Sequence, residues 1–465
     1  MDDSLLTHAF WRPRASRRAR REAGRSRRED VPLESQADLA LPPDRPSPVD
    51  TLGAQDANRL PELVPIRYGR MSATPFTFLR GAAAVMANDL AAGASTDMRV
   101  QLCGDAHLSN FGLFNAPDRR LVFDINDFDE TLPGPFEWDL KRLAASVTVA
   151  ARNNGLSPNK AETATAAAVA GYRQTVARAA DHGPLDVFYY RLDASSLAQR
   201  FADRKPSKRT KKAVRKAARK TSARALDKLT DIVDGRRVIV PDPPLISPIE
   251  VNTAEELERV DRFVSQYRES LPLSRRALLD RFTIVDIAHK VVGVGSVGTR
   301  CLIALLESAD GQPLFLQLKE AVASVLEPYA GSSKFANSGQ RVVEGQRLTQ
   351  AAGDVFLGWA RGERPNEPHV DFYVRQLWDG KGSFEVEEMG AGSLRRYARF
   401  CGAALGLAHA RSGDAATISG YLGDDETFDE AIVAFADSYA DLNESDYGLI
   451  TAAIDQGDIT VIRDL

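Results

Sequence analysis

Histidine and cysteine are scarce in this chain. Six His are scattered over 465 residues, and the three Cys (Cys103, Cys301, Cys401) are odd in number and far apart. That spacing excludes a disulfide framework and zinc-ligand pairs, and it argues against a His-based metal centre. A reducing cytoplasm is the simplest expected compartment. No apolar run approaches the ~20 residues that cross a bilayer, so no membrane partner is expected. The paired arginines of "ASRRARREAGRSRRED" have no hydrophobic segment behind them, which a twin-arginine export signal would need. Internal repeats are absent from the sequence.

The net charge of −4 conceals a segregation. Residues 12–28 hold nine Arg and one Glu, and residues 204–228 hold twelve Lys or Arg and one Asp. The rest of the chain is therefore acidic. The 204–228 run has no aromatic residue to stack on bases. A solvated or self-docked helix is the first reading of it, and a nucleic-acid-binding segment is the alternative.

The length allows roughly two to four domains or lobes. Residues 1–60, rich in Arg, Pro and Asp, read as a disordered tail. Residues 61–182 alternate helical patterns with short strands: "PFTFLRGAAAVMANDLAAG" is helical, "RVQLCGD" and "RRLVFDIND" are strands, and "PFEWDLKRLAASVTVAARNNG" is a helix ended by Asn-Asn-Gly. Residues 183–280 read as a basic helical insertion. Residues 281–380 change character: strand, Gly-rich loop, strand, the turn "SADGQ", then a strand that carries Lys319. A helix follows around "GQRVVEGQRLTQAA". In 381–465, Leu394, Tyr397, Cys401, Leu405 and Ala408 fall at helical spacing, so the chain ends in amphipathic helices.

The densest chemistry lies in residues 101–130, "QLCGDAHLSNFGLFNAPDRRLVFDINDFDE". Phosphoryl transfer asks for a carboxylate that orients the acceptor hydroxyl and for a few oxygen ligands to Mg²⁺. Asp105, on a turn after a strand, suits the first role. Asn110 and Asp127 suit the second, and Asp129 is a further metal candidate. The same residue types also cap turns, but turn preference alone does not assemble four spaced polar residues, a downstream Asp and a Gly loop. Asp124 is expected to point away along its strand.

"GDAHLSN" resembles the HGD-x-H-x-x-N loop of aminoglycoside and choline phosphotransferases, the small-molecule branch of the protein-kinase-like fold. "INDFDETLPGPFEWDL" is similar to the metal-binding segment of that branch, where a second Asp opens a helix, as Asp139 does here. The family's opening His is Cys103. The resemblance implies that Asp105 is the catalytic residue and that Asn110, Asp127 and Asp129 face a metal. It leaves His107 and Asp139 as structural support of the loop, and His409 as a helix-end residue. "VVGVGSVG" alone is a weak signal, since G-x-G-x-x-G also marks dinucleotide folds. There the loop opens a helix, whereas here a strand, a turn and another strand come next, as in kinases. By that resemblance Gly293, Gly295, Ser296 and Gly298 cover nucleotide phosphates, Lys319 contacts them, Glu344 pairs with Lys319, and residues 371–377 form the inter-lobe hinge.

The order is reversed relative to kinases, with the catalytic loop ahead of the Gly-rich lobe. The expected fold is therefore α+β, a two-lobed kinase-like domain, circularly permuted, with a helical insertion. Residues 60–450 also resemble a bacterial family known only as a domain of unknown function (number twenty-two fifty-two), through "TPFTFLRGAA", "VQLCGDAHLSNFG" and "KVVGVGSVGTRC". The implied function is an ATP- and Mg²⁺-dependent phosphotransferase acting on a small hydroxylated acceptor. Nucleotidyl transfer, non-catalytic nucleotide binding on the same fold, and nucleic-acid binding through 204–228 are the alternatives. Arg70 and Arg80 either reach a phosphate or pair with the acidic body.

Overall fold

The Arg-rich start of the chain folds, against the expectation of a disordered tail. The structure is a computed structural model that describes residues 14–194, 226, 228–291, 293–295, 297–364, 367–377, 382 and 384–463. Arg17–Asp30 is a helix capped by the Ser16 side chain, which accepts from the Ala19 amide. It buries no large apolar residue. It docks by backbone approach: a Cβ at Gly24 would sit 1.9 Å from the Thr417 carbonyl oxygen, and one at Gly420 2.0 Å from that of Arg21. Its arginines find partners on the body. Arg20 reaches Asp414 at 2.6 Å, and Arg28 donates to the Tyr421 and Gly420 carbonyls. Further on, Arg45 bridges Asp89 and Asp446. The basic charge of residues 14–45 is thus partly taken up by specific contacts rather than by solvent.

Short helices Pro48–Asp56, Val64–Met71, Pro75–Gly81 and Ala83–Ala91 lead to the first strand, Arg99–Leu102. That strand pairs antiparallel with Leu132–Pro135, and between the two lies a hairpin of Phe111–Asn115 and Leu121–Ile125. A helical layer comes next, built from Phe136–Asn153, Pro158–Asp181, Ala391–Ser412 and Thr427–Asp455. Its core includes Phe136, Tyr172, Leu405, Tyr421 and Phe428, all fully buried. The last two helices agree with the amphipathic helices expected near the end of the chain.

The second layer is a six-stranded antiparallel sheet. Its order is Gly358–Arg364, Glu367–Gln376, Pro313–Ala321, Cys301–Ser308, Phe282–Lys290 and Ile246–Pro248. The helix Ser338–Thr349, capped by Asn337, connects Pro313–Ala321 to Gly358–Arg364 and packs on the sheet. The expected helical insertion 183–280 is corrected. It holds a hairpin of Thr230–Val233 and Arg236–Ile239, an edge strand of the main sheet (Ile246–Pro248), and helices Pro184–Tyr189, Ala254–Glu269 and Leu273–Leu279. Pro243 and Pro244 follow the hairpin, and the sheet recruits Ile246–Pro248 just beyond them. Apart from residues 226 and 228, the basic run 204–228 lies outside the described residues. Residues 371–376 form part of a central strand rather than a hinge, and the chain leaves the sheet after them. The architecture is mixed α+β, and among the described residues no helix is long and apolar enough to cross a membrane.

Candidate functional site

Two loops at one end of the helical layer carry the acidic cluster. The loop 103–110 follows the strand Arg99–Leu102, and the loop 126–131 follows the strand Leu121–Ile125. They are tied together by the Asn126 amide, which donates to the Asn110 carbonyl at 2.8 Å. Gly104 has φ +85°, and a Cβ there would lie 2.2 Å from the Glu130 carbonyl oxygen, so only Gly permits this crossing.

Asp139, at the start of the helix Phe136–Asn153, grips the first loop. Its carboxylate accepts from the Cys103 and Gly104 amides at 2.8 and 3.0 Å. His409, fully buried, lies with Nε2 3.2 Å from Asp139 Oδ2, and its Nδ1 is 2.9 Å from the Tyr172 hydroxyl. The structural role expected for Asp139 is the one these contacts describe. His409 is not a mere helix-end residue, because its ring connects Tyr172 to Asp139.

Asp105 points Oδ1 at Arg142, with Nη2 at 2.7 Å and Nε at 2.8 Å. Arg142 also donates to the Leu79 carbonyl. Burial raises the Asp105 carboxyl, while Arg142 beside it works in the other direction. His107 Nε2 lies 3.6 Å from Asp105 Oδ2. Burial, Arg80 and Arg142 push the His107 ring well below its ordinary value, so it is neutral at physiological pH. Asn110 donates its side-chain amide to the Asp105 carbonyl at 2.8 Å, which fixes the turn. Asp124 is nearly buried and turned from the cleft toward Arg411, 3.9 Å away.

The sheet meets this cluster at Asp129. Lys319 and Tyr373 are register partners on adjacent strands. Lys319 Nζ lies 2.5 Å from Asp129 Oδ2, and the Tyr373 hydroxyl donates to Oδ1 at 2.6 Å. Two residues on from Tyr373, and so on the same face, Arg375 donates to the Asn126 carbonyl. Burial would raise the Asp129 carboxyl, but Lys319, Tyr373 and Arg375 outweigh it and hold it below the usual range. Burial and the neighbouring Asp129 raise Asp127 instead. Burial alone would lower the Lys319 ammonium; Asp127 and Asp129 hold it well above the usual lysine value.

This geometry corrects two expectations. Glu344 pairs with Arg347 at 2.9 Å, while Lys319 pairs with Asp129. The inward face of the helix Ser338–Thr349 presents Arg341 instead, which donates to the carbonyls of Thr131, Asp129 and Val322. Asp129, with both carboxylate oxygens engaged, ties the sheet to the loop rather than standing open as a metal ligand. Asp127 accepts from the Asp129 amide through Oδ1 at 3.2 Å.

A cleft of about 440 Å³ opens where the layers meet. Asp105, Asn110 and Asp127 line it from the loops, and Gly293 and Gly295 line it from the Gly-rich turn. Gly293 and Gly298 have φ +76° and +93°, which accounts for glycine at both positions. Ser296 lies outside the described residues. Sequence reasoning missed Arg142, Arg341 and Tyr373. The signal available for the first was the basic pair Lys141-Arg142 directly before the small and apolar residues 143–151 of its helix, and for the last a polar residue two before Arg375 on one strand face.

No group of three or more His, Cys, Asp or Glu among the described residues is arranged as a metal site by itself. No curated protein and no solved structure is similar to the chain. A family model matches residues 59–453, a span that covers every element of this cleft from Arg59 onward. The chain belongs to that family, described as an uncharacterized protein conserved in bacteria (DUF2252).

Proposed function

We propose that the chain is an ATP- and Mg²⁺-dependent phosphotransferase for a small hydroxylated acceptor, built as two kinase-like lobes in reversed chain order. One observation carries the reading: residues nearly two hundred positions apart, Asp105, Asn110 and Asp127 on one side and Gly293 and Gly295 on the other, line a single cleft. The supporting features are a Gly-rich turn between two paired strands, a buried Lys on the third, and a helix after it. The ion pair Lys319–Asp129 couples that sheet to the acidic loop.

The residues fit a hard cation. Asp127 offers an under-compensated carboxylate and Asn110 an amide oxygen, both lining the cleft, and Mg²⁺ takes few protein oxygens. Bound there, Mg²⁺ would supply charge neutralisation for the phosphates. The chain's own residues do the rest. Asp105, held by Arg142, accepts a hydrogen bond from the acceptor hydroxyl and orients its oxygen for in-line attack. Neutral His107 packs behind Asp105 without competing for its charge. The amides of the Gly-rich turn cradle the phosphates. Phosphoryl transfer has a loose transition state, so orientation matters more than a strong base.

The test is turnover against binding in Asp105→Asn. ATP consumption, with water or a screened hydroxyl compound as acceptor, is expected to fall by about 10²–10⁴-fold while Mg-ATP still binds. Unchanged turnover in a folded Asp105→Asn protein would remove the reading.

A further inference from the structure

The segment 54–80 roofs the cleft. The Leu60 amide donates to the Gly298 carbonyl at 2.8 Å, Arg59 donates to the Val297 carbonyl, and Arg70 donates to the Gly293 carbonyl at 2.7 Å. A Cβ at Gly298 would lie 3.0 Å from Arg59 Cβ, and one at Gly295 3.2 Å from the Arg80 carbonyl oxygen. The Gly-rich turn therefore rests on Arg59 at one end and on Arg80 near its middle.

Arg59 and Arg80 line the same cleft as Asp105 and Asp127. Among the described residues, neither has a carboxylate at close hydrogen-bonding distance. The nearest to Arg59 is Asp56 at 3.9 Å, and Arg67 takes Asp56 at 2.7 Å. Arg80 meets Glu387 at 3.5 Å, and that Glu is exposed and does not line the cleft. The Nε atoms of both arginines and Nδ1 of His107 are buried without a hydrogen-bond partner among the described residues. Arg45 bridges two aspartates and Arg173 holds Asp429 through two nitrogens; an unpartnered Nε recurs at Arg20, Arg67, Arg300, Arg341 and Arg411, but none of these five lines the cleft, as Arg59 and Arg80 do. Burial lowers both cleft guanidiniums; Arg67 adds to the effect at Arg59 while Asp56 and Glu130 oppose it, and Glu387 and Asp105 oppose it at Arg80. Two under-neutralised cations facing one cavity are relieved by a dianion.

We propose that Arg59 and Arg80 form a subsite for a phosphate dianion, and that its occupant is the terminal phosphate of a nucleoside triphosphate, held between the Gly-rich turn and Asp105. The assignment rests on the phosphotransferase reading and extends it, by making residues 54–80 part of the phosphate site. The same chemistry would serve the phosphate of a phosphorylated acceptor, so the test must separate the two sources.

The test is calorimetric titration of the full chain with Mg-ATP and with Mg-ADP, for wild type, Arg59→Met, Arg80→Met and the corresponding Lys variants. Thermal midpoints check folding, and Arg59→Lys with Arg80→Met carries the test if Arg59→Met unfolds. Both Met variants are expected to weaken Mg-ATP roughly 10- to 100-fold and to leave Mg-ADP within about twofold. The Lys variants should restore part of the loss. Equal losses for ATP and ADP, or no loss for either, would overturn the subsite. If wild type binds neither nucleotide, the phosphotransferase reading fails on its own, and inorganic phosphate and pyrophosphate decide the rest. A wild-type midpoint raised by either anion, and not raised in both Met variants, supports the subsite with a phosphorylated acceptor as its source. No rise in wild type overturns it.

Discussion

Asp105, on the loop before the hairpin, and Asp124, on its second strand, show how the distance of an arginine separates two carboxylates. Burial raises both carboxyls, but Asp105 has Arg142 at 2.7 Å to oppose it, whereas Asp124 has Arg411 only at 3.9 Å. Burial pushes the Asp124 carboxyl up to about 6. A carboxyl raised in the folded state binds more protons there than in the unfolded chain, so stability falls as pH rises from about 4 to 6 and is level above. The shift corresponds to about 3 kcal/mol at most. Asp124→Asn removes this titration. Urea unfolding should show the variant gaining on wild type by about 2 kcal/mol between pH 4 and pH 7.5, and a pH-independent difference would contradict the assignment. The grouping of Asp105, Asn110 and Asp127 at one cleft, and the hold of Asp139 on the first loop, were legible in the sequence because their placement is set within forty residues by one strand-turn-strand-helix unit. Arg142 was not, because its partner is chosen by how the helix Phe136–Asn153 is rotated, and no local pattern records that.

At the scale of elements, the helix Ser338–Thr349 separates two kinds of information. Its existence follows from its spacing, but which residue faces the site depends on how far the helix is rotated about its own axis, where Arg341 and Glu344 lie about 60° apart. Arg341 and Gly345 share the inward face, and a Cβ at Gly345 would lie 2.4 Å from the Thr131 side chain. Glu344 is turned aside to Arg347. Arg341→Ala should destabilise the protein by about 3 kcal/mol or more, because three carbonyls lose a charged donor. Glu344→Ala should change stability by less than about 1 kcal/mol. Chemical unfolding of the two variants checks the ranking, and the reverse order would place Glu344 back at the site. The helix Arg17–Asp30 was illegible for another reason. It docks through Gly24 and through arginines that reach carbonyls and carboxylates, so hydropathy registers only charge. The edge strand Ile246–Pro248 was hidden because a three-residue strand that itself ends on a proline, two positions after Pro244, carries no periodicity, and the sheet edge selects it.

Across the whole molecule, chain order and spatial order differ. The acidic loops come before the sheet in sequence, and the first described helix packs against residues near position 420. The mixed α+β class, the Gly-rich turn between strands and the C-terminal helices were readable from pattern. The roof over the cleft was not, since residues 54–80 reach the Gly-rich turn through contacts more than two hundred positions long. The joining of the two halves is the central claim, and one measurement addresses it directly: Mg-ATP titration by calorimetry on wild type, Lys319→Ala and Asp127→Ala. Mg²⁺-dependent binding to wild type is expected, weakened at least about tenfold by each substitution, although one residue lies on the sheet and the other on the acidic loop. A folded wild type that does not bind Mg-ATP, or binding indifferent to both substitutions, would contradict the central claim.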